Sequence, residues 1–202
     1  MARYVSDVAF TPAVKAEQVR HGSRRQYERM ENSKGWANVV TPDLAAVLAE
    51  ARSFYLGTAN AEGQPYIQHR GGSPGFLKVI DEHTLGFADL AGNRQYITAG
   101  NLSENPRAFI FVMDYARRRR VKIWGRARVV ENDDELLSSL RPSQGNAIAE
   151  RAILFEIEAW DRNCPQHIPQ LVPIEDVEAA ILKLQGRIAE LESEVERLRS
   201  PR

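Results

Sequence analysis

Two segments of this 202-residue chain carry side chains and freed backbone amides able to hold an anion. The first is Gln68-His69-Arg70-Gly71-Gly72-Ser73-Pro74-Gly75-Phe76-Leu77-Lys78, where glycines open backbone N–H groups beside Arg70 and Ser73. Such amides, with a guanidinium fork, form a phosphate cradle. Adjacent glycines read equally well as a plain turn. The second is Phe87-Ala88-Asp89-Leu90-Ala91-Gly92-Asn93-Arg94-Gln95-Tyr96. Its pattern predicts a strand, a turn at Gly92 and a helix starting near Asn93. Helix N-termini attract anions, and Arg94 and Gln95 would stand in that first turn. A capped surface helix is the alternative. Cys164 and His167 could share a metal, but a site needs a third or fourth ligand. His21, His69 and His83 lie far away in sequence, so no metal is expected. A Cys–His nucleophile pair stays open as an alternative. No side chain stands out as a general acid or base, so no catalytic residue is named. Arg117-Arg118-Arg119-Arg120 reads as a hairpin turn, either a source of cations or a solvated basic loop.

The elements that must position these residues change character along the chain. Residues 1–52 read as a helical lead-in, 53–170 as a strand-rich body and 174–199 as one further helix. Thr11-Pro12 and Thr41-Pro42 are helix starts, a capping hydroxyl followed by a proline suited to the first turn. Leu44, Val47, Leu48 and Ala51 then keep helical spacing, which predicts a helix over 42–51. From Ser53 the period shortens. Strands are predicted over 53–59, 64–70, 76–80, 84–88, 107–113, 121–130 and 153–160, with helices near 93–103 and 132–140. Gly71 to Gly75 cannot continue a central strand. Six or seven short strands at hairpin spacing point to a closed or partly closed antiparallel barrel.

Lys+Arg and Asp+Glu are 27 each, a balance that argues against a dedicated nucleic-acid binder. Lysine occurs only at Lys15, Lys34, Lys78, Lys122 and Lys183, so most cations are arginine, the better fork for phosphate and carboxylate. One cysteine excludes an intramolecular disulfide framework. No signal peptide and no apolar stretch of membrane-spanning length is seen, so a soluble, cytoplasmic protein is expected.

The order strand, Asp89, Gly92-Asn93-Arg94-Gln95, then Asn101-Leu102-Ser103-Glu104-Asn105-Pro106-Arg107 before an apolar strand, resembles the pyridoxamine 5′-phosphate oxidase-like flavin-binding proteins. Gln64 to Arg70 upstream and Val121-Lys122-Ile123-Trp124-Gly125-Arg126-Ala127 downstream fit the same order, so the likeness covers about 42–160. It implies a mainly β fold with helices, a six-stranded antiparallel Greek-key split barrel, forming homodimers with FMN at the subunit interface. By that likeness the flavin phosphate would meet Arg70, Ser73, Asn93, Arg94 and Gln95. The ring would lie along strand backbone near His69, Arg70 and Asp89, with Gly71 as a further cofactor-binding residue. The partner would add Lys122 and Trp124, with Trp160 and Arg162 as further candidates, and the arginine run could serve the partner's phosphate or an anionic substrate. Positive charge near the ring would come from Arg70, Lys78 or Lys122. The segment Trp160 to Gln170 stands where the true oxidases carry an Arg and a His for substrate. Vitamin B6 oxidation is therefore not expected. In this chain the segment reads as a cover over flavin and a small-molecule substrate. The implied activity is an FMN-dependent oxidoreductase. The alternatives are a non-catalytic flavin-binding or redox-sensing protein acting through a partner, and a cofactor-free interaction module.

The tail repeats every seven residues. Ile174, Ile181, Ile188 and Val195 occupy position a, and Val177, Leu184, Leu191 and Leu198 occupy position d. β-Branched residues at a with leucine at d favour a parallel two-stranded coiled coil. In that register Arg187 faces Glu192 of a second copy, and Glu194 faces Arg199. A helix packed on its own barrel is the other reading.

Overall fold

A computed structural model describes residues 4–142, 148–163 and 165–199. Among the described residues the chain forms six α-helices and seven strands. They run α1 (Pro12–Arg20), α2 (Arg24–Glu31), α3 (Pro42–Glu50), β1 (Ser53–Ala59), β2 (Pro65–Gly71), β3 (Lys78–Val79), β4 (Thr84–Leu90), α4 (Ile97–Glu104), β5 (Arg107–Asp114), β6 (Arg119–Val130), α5 (Asp134–Leu140), β7 (Ala149–Asn163) and α6 (Ile174–Arg199). No described helix is long and apolar enough to cross a membrane.

All strands join one antiparallel sheet in the order β2-β1-β5-β6-β7-β4-β3. The seven strands are those the pattern listed, one more than the six that the family likeness implied, and β3 is only two residues long. Strand 76–80 shrinks to Lys78–Val79 because Phe76 and Leu77 leave the ladder to fill the core, where both are buried.

Alternation explains which face closes. Phe54, Leu56, Ile110, Val112, Val121 and Ile123 point inward, and Tyr55, Ile67, Phe109, Phe111, Lys122 and Trp124 point outward. The sheet rolls on the inward set. Phe54 of β1 meets Phe87 of β4 edge to face at 5.0 Å, though three strands separate them in the sheet. Arg70 on edge strand β2 pairs with Asp89 on β4, so the two sides of the sheet meet as a split barrel requires. α3 plugs this barrel with Leu44, Val47 and Leu48, all buried. The Thr41 hydroxyl accepts from the Leu44 amide at 3.3 Å and Pro42 opens the helix. Thr41→Ala is expected to cost about 1 kcal/mol. Calorimetry should show that as a fall in Tm of roughly 2–4 °C for a chain of this size.

The lead-in lies on the outer face of the barrel. Trp36 stacks on Trp124 of β6 at 4.8 Å, and Phe10 abuts both Trp36 and Tyr27. Glu31 is buried with its charge held by Arg24 and the Ser6 hydroxyl. α6 buries none of its residues against the rest of the chain.

Candidate functional site

A cavity of about 260 Å³ opens where β2 meets β4. Tyr66, Gln68 and Arg70 reach it from the inward face of β2, and Asp89 from the end of β4. Loop 92–96 and the first turn of α4 form the rest of the wall, with Glu150 from β7. α4 is held to the barrel by Asn101, whose amide donates to the buried Thr58 hydroxyl at 3.0 Å.

The cavity floor is a network of charge. Arg70 donates to Asp89 and, at 2.9 Å, to the Gln68 side-chain oxygen, which also accepts from Thr98 Oγ1 at 2.6 Å. Arg151 approaches the other oxygen of Asp89 at 3.6 Å and bonds Glu150 and Glu131 at 3.0 and 3.2 Å. Burial works against the Arg151 charge. The Glu150 hydrogen bond and the charges of Asp89, Glu131 and Glu150 outweigh it and hold its pKa above the ordinary guanidinium value. The guanidinium also lies 4.9 Å from the Tyr96 ring centre. One carboxylate thus serves two guanidiniums. Three buried polar atoms are left without a hydrogen-bond partner among the described residues: Arg70 Nε, Arg151 Nε and Ser73 Oγ. A buried donor left unpaired costs roughly 1–3 kcal/mol, so such atoms point to a missing acceptor.

The loop departs from the expected form. α4 begins at Ile97, not near Asn93, so Arg94 and Gln95 precede the helix and do not stand in its first turn. Arg94 and Tyr96 adopt left-handed backbone at φ 58° and 53°. Two such residues in one loop are sparse geometry for non-glycine residues and concentrate at ligand clamps. Asn93 Oδ1 accepts from the Gln95 amide at 3.2 Å, which turns the loop over the cavity. The Arg94 guanidinium has no partner among the described residues, and it lines the cavity.

Arg70, Asp89, Asn93, Arg94 and Gln95 therefore share one cavity. The other expected residues do not line it. His69 points outward, edge to face with Tyr55 at 5.6 Å. Gly71 ends β2, and Ser73 sits in the following loop. Lys122 pairs with Asp161 at 2.9 Å and lies over the Trp36 and Trp124 rings on the outer face. The Trp160 indole donates to Val39 O at 2.8 Å, and Arg162 is exposed, 3.9 Å from Asp43. Lys78 caps the Ser139 carbonyl at 2.7 Å. The arginine run is mostly structural. Arg117 bonds Glu50, Arg119 bonds Asp114 at 2.7 Å, and Arg118 bonds the Ile168 carbonyl at 3.1 Å. Cys164 lies outside the described residues. Among the described residues no group of three or more His, Cys, Asp or Glu could hold a metal ion.

Sequence reasoning missed Arg151, Gln68 and Thr98. Arg151 is the third residue of the long strand β7, and its only sequence signal is a charge beside an apolar run.

The family model described as pyridoxamine 5′-phosphate oxidase matches residues 40–167. No curated protein aligns significantly with the sequence. Among solved structures, HupZ of group A Streptococcus superposes with a TM-score of 0.50 at 15% identity, covering 66% of this chain and 99% of HupZ. A protein related to general stress protein 26 from Clostridium acetobutylicum gives 0.46 at 13%, covering 65% and 92%. A pyridoxamine 5′-phosphate oxidase-related, FMN binding protein from Nostoc punctiforme gives 0.42 at 14%, covering 61% and 84%. At this identity the HupZ likeness shows the fold alone.

Proposed function

The chain belongs to the pyridoxamine 5′-phosphate oxidase family, and on that footing we propose that it is an FMN-dependent oxidoreductase working as a homodimer. The observation that carries this is the pair of unmatched donors at one cavity, the buried Arg70 Nε and the free Arg94 guanidinium. They suit a phosphate monoester. Arg94 and the amides of its loop would bind the phosphate, while Asp89 and Gln68 hold the Arg70 fork in place. The cavity is small for a whole flavin, so its remainder would extend along the outer surface towards a second subunit. When bound, the flavin supplies the hydride or electron transfer. We include in the proposal a parallel coiled coil of the two α6 helices.

The test is the visible spectrum of the purified protein, with the released chromophore identified by mass. Flavin bands and the mass of FMN support the reading. A colourless protein that also fails to take up added FMN overturns it. Arg94→Ala is expected to lose about 1.5–3 kcal/mol of FMN affinity, the worth of one charge-assisted hydrogen bond. Titration of apoprotein should read that as roughly a 10- to 150-fold rise in Kd. Equal affinity would place the phosphate elsewhere. Steady oxidation of a reduced nicotinamide by the holoprotein separates an enzyme from a flavin-binding protein that acts through a partner.

A further inference from the structure

The loop that carries Arg94 needs a support from outside itself. Arg94 and Tyr96 both hold left-handed backbone without glycine, a geometry that persists only where surrounding structure over-determines it. Asn93 closes one turn of the loop by accepting from the Gln95 amide. A second restraint comes from a distant strand, for the Arg151 guanidinium lies 4.9 Å from the centre of the Tyr96 ring.

A bulge places Arg151 there. Arg151 faces Asp89 across the β4–β7 ladder and Ala149 faces Leu90, so Glu150 between them has no partner on β4. Bulges re-aim side chains beside functional sites. Glu150 lines the cavity with Asp89 and Tyr96, and Arg151 does not line it but contacts all three. The Arg151 side chain is only 15% exposed. It is held from three sides, by Glu150 at 3.0 Å, Glu131 at 3.2 Å and Asp89 at 3.6 Å. A guanidinium fixed in this way is a rigid shelf for an aromatic ring, and partial removal from water strengthens the attraction. Its charge also offsets Asp89 and Glu150, two carboxylates that would otherwise repel an anion entering beside Arg94.

We propose that Arg151 is a positioning residue of this cavity. It clamps the Tyr96 ring, and so holds loop 92–96 with Arg94 over the cavity, and it keeps Asp89 and Glu150 from repelling the bound anion. The charge role rests on the cavity being a phosphate site; the clamp does not.

Hydrogen exchange of the full chain without added ligand reads the clamp, and titration with FMN reads the charge role. Arg151→Met should speed exchange of the amides of residues 93–97 by roughly tenfold while β5 and β6 stay within about twofold of wild type. Tyr96→Leu should speed the same amides and leave Arg151 among its three carboxylates. The double variant should exchange no faster than either single one, because both remove one contact. Tyr96→Phe keeps the ring and should keep the wild-type rate. Arg151→Met should also raise the Kd for FMN roughly tenfold. Unchanged loop exchange in Arg151→Met, or multiplied effects in the double variant, overturns the clamp. Equal speeding in β5 and β6 also overturns it, assigning Arg151 to the stability of the barrel. Faster loop exchange with an unchanged Kd overturns the charge role. Wild type that takes up no FMN, with loop exchange responding as expected, overturns the flavin reading and the charge role with it and leaves the clamp established.

Discussion

Gly125→Ala is expected to destabilise the barrel by on the order of 3–5 kcal/mol, the upper range for single substitutions. Thermal unfolding should shift down by roughly 8–15 °C in a chain of this length. The cause is local and visible. Between Trp124 and Gly125 the β6–β7 register slips by one residue, so that Trp124 faces Ala159 while Gly125 faces Ile157. The bulge drives the Glu156 carbonyl and the Phe155 ring towards Gly125. A Cβ at 125 would stand 2.0 Å from that carbonyl oxygen and 2.5 Å from the ring. A flexible side chain can swing away, but a backbone carbonyl held in a central ladder cannot. Gly186→Ala supplies the contrast. A Cβ there meets nothing within 4 Å, and the residue lies inside α6. That change should stabilise α6 by about 0.5–1 kcal/mol, through backbone entropy and helix propensity. Two glycine-to-alanine changes of opposite sign test the packing around the bulge rather than a general effect of added methyl groups. A Tm for Gly125→Ala within about 2 °C of wild type would mean that the bulge relaxes freely.

Elements with both a start signal and a sustained period were legible in the sequence. α3 has its Thr41-Pro42 cap and three buried apolar residues at helical spacing, and the structure places it at Pro42–Glu50. β1 lies over Ser53–Ala59, bounded by turn residues as expected. The outward and inward sets of β2 also follow from strict alternation. The misreadings came from geometry that no residue type encodes. Asn93-Arg94 resembles a helix start, yet the chain takes left-handed backbone at Arg94 and Tyr96, without glycine, before the helix begins. β3 is short because Phe76 and Leu77, strand-like by composition, serve the core from a loop. β7 runs to 15 residues because it pairs with both β6 and β4, a tertiary demand that extends it past its apolar run. The site shows the same division. Arg70, Asp89 and Arg94 could be named from motif order. The approach of Arg151 to Asp89 depends on a strand 60 residues downstream of Asp89 curling back beside it.

Leu184→Gln is expected to raise the Kd of the proposed homodimer by roughly 30-fold or more, and Leu182→Gln to leave it unchanged. These two leucines are almost equally exposed in a single chain, 63% and 68%, and sit two residues apart on one helix. Only the heptad distinguishes them, since Leu184 falls at d and Leu182 at b. The argument for pairing starts from α6 itself. It spans 26 residues and buries none of them against the rest of its chain. Most helix stability in proteins comes from packing an apolar face rather than from propensity. α6 has such a face, with Ile181, Leu184, Ile188, Leu191 and Val195 all at least 44% exposed. Within one chain Arg187 pairs locally with Glu190 at 2.8 Å and Arg197 with Glu194 at 3.7 Å, and among the described residues only Glu175 in the first turn is seen to reach the body, at 3.6 Å from Arg52. In a parallel pair Arg187 and Glu194 would instead gain Glu192 and Arg199 of the second copy. Each exposed pair is worth only about 0.5 kcal/mol, so the charges select register while the seam supplies the affinity. Burying one leucine at d contributes roughly 1.5–3 kcal/mol, which sets the size of the expected change. Glutamine keeps nearly the helix propensity of leucine, so the comparison isolates burial from helix content. Sedimentation equilibrium of the two variants reads the result directly. A matched loss in both would assign the effect to the helix alone, and no loss in either would remove the seam from the dimer.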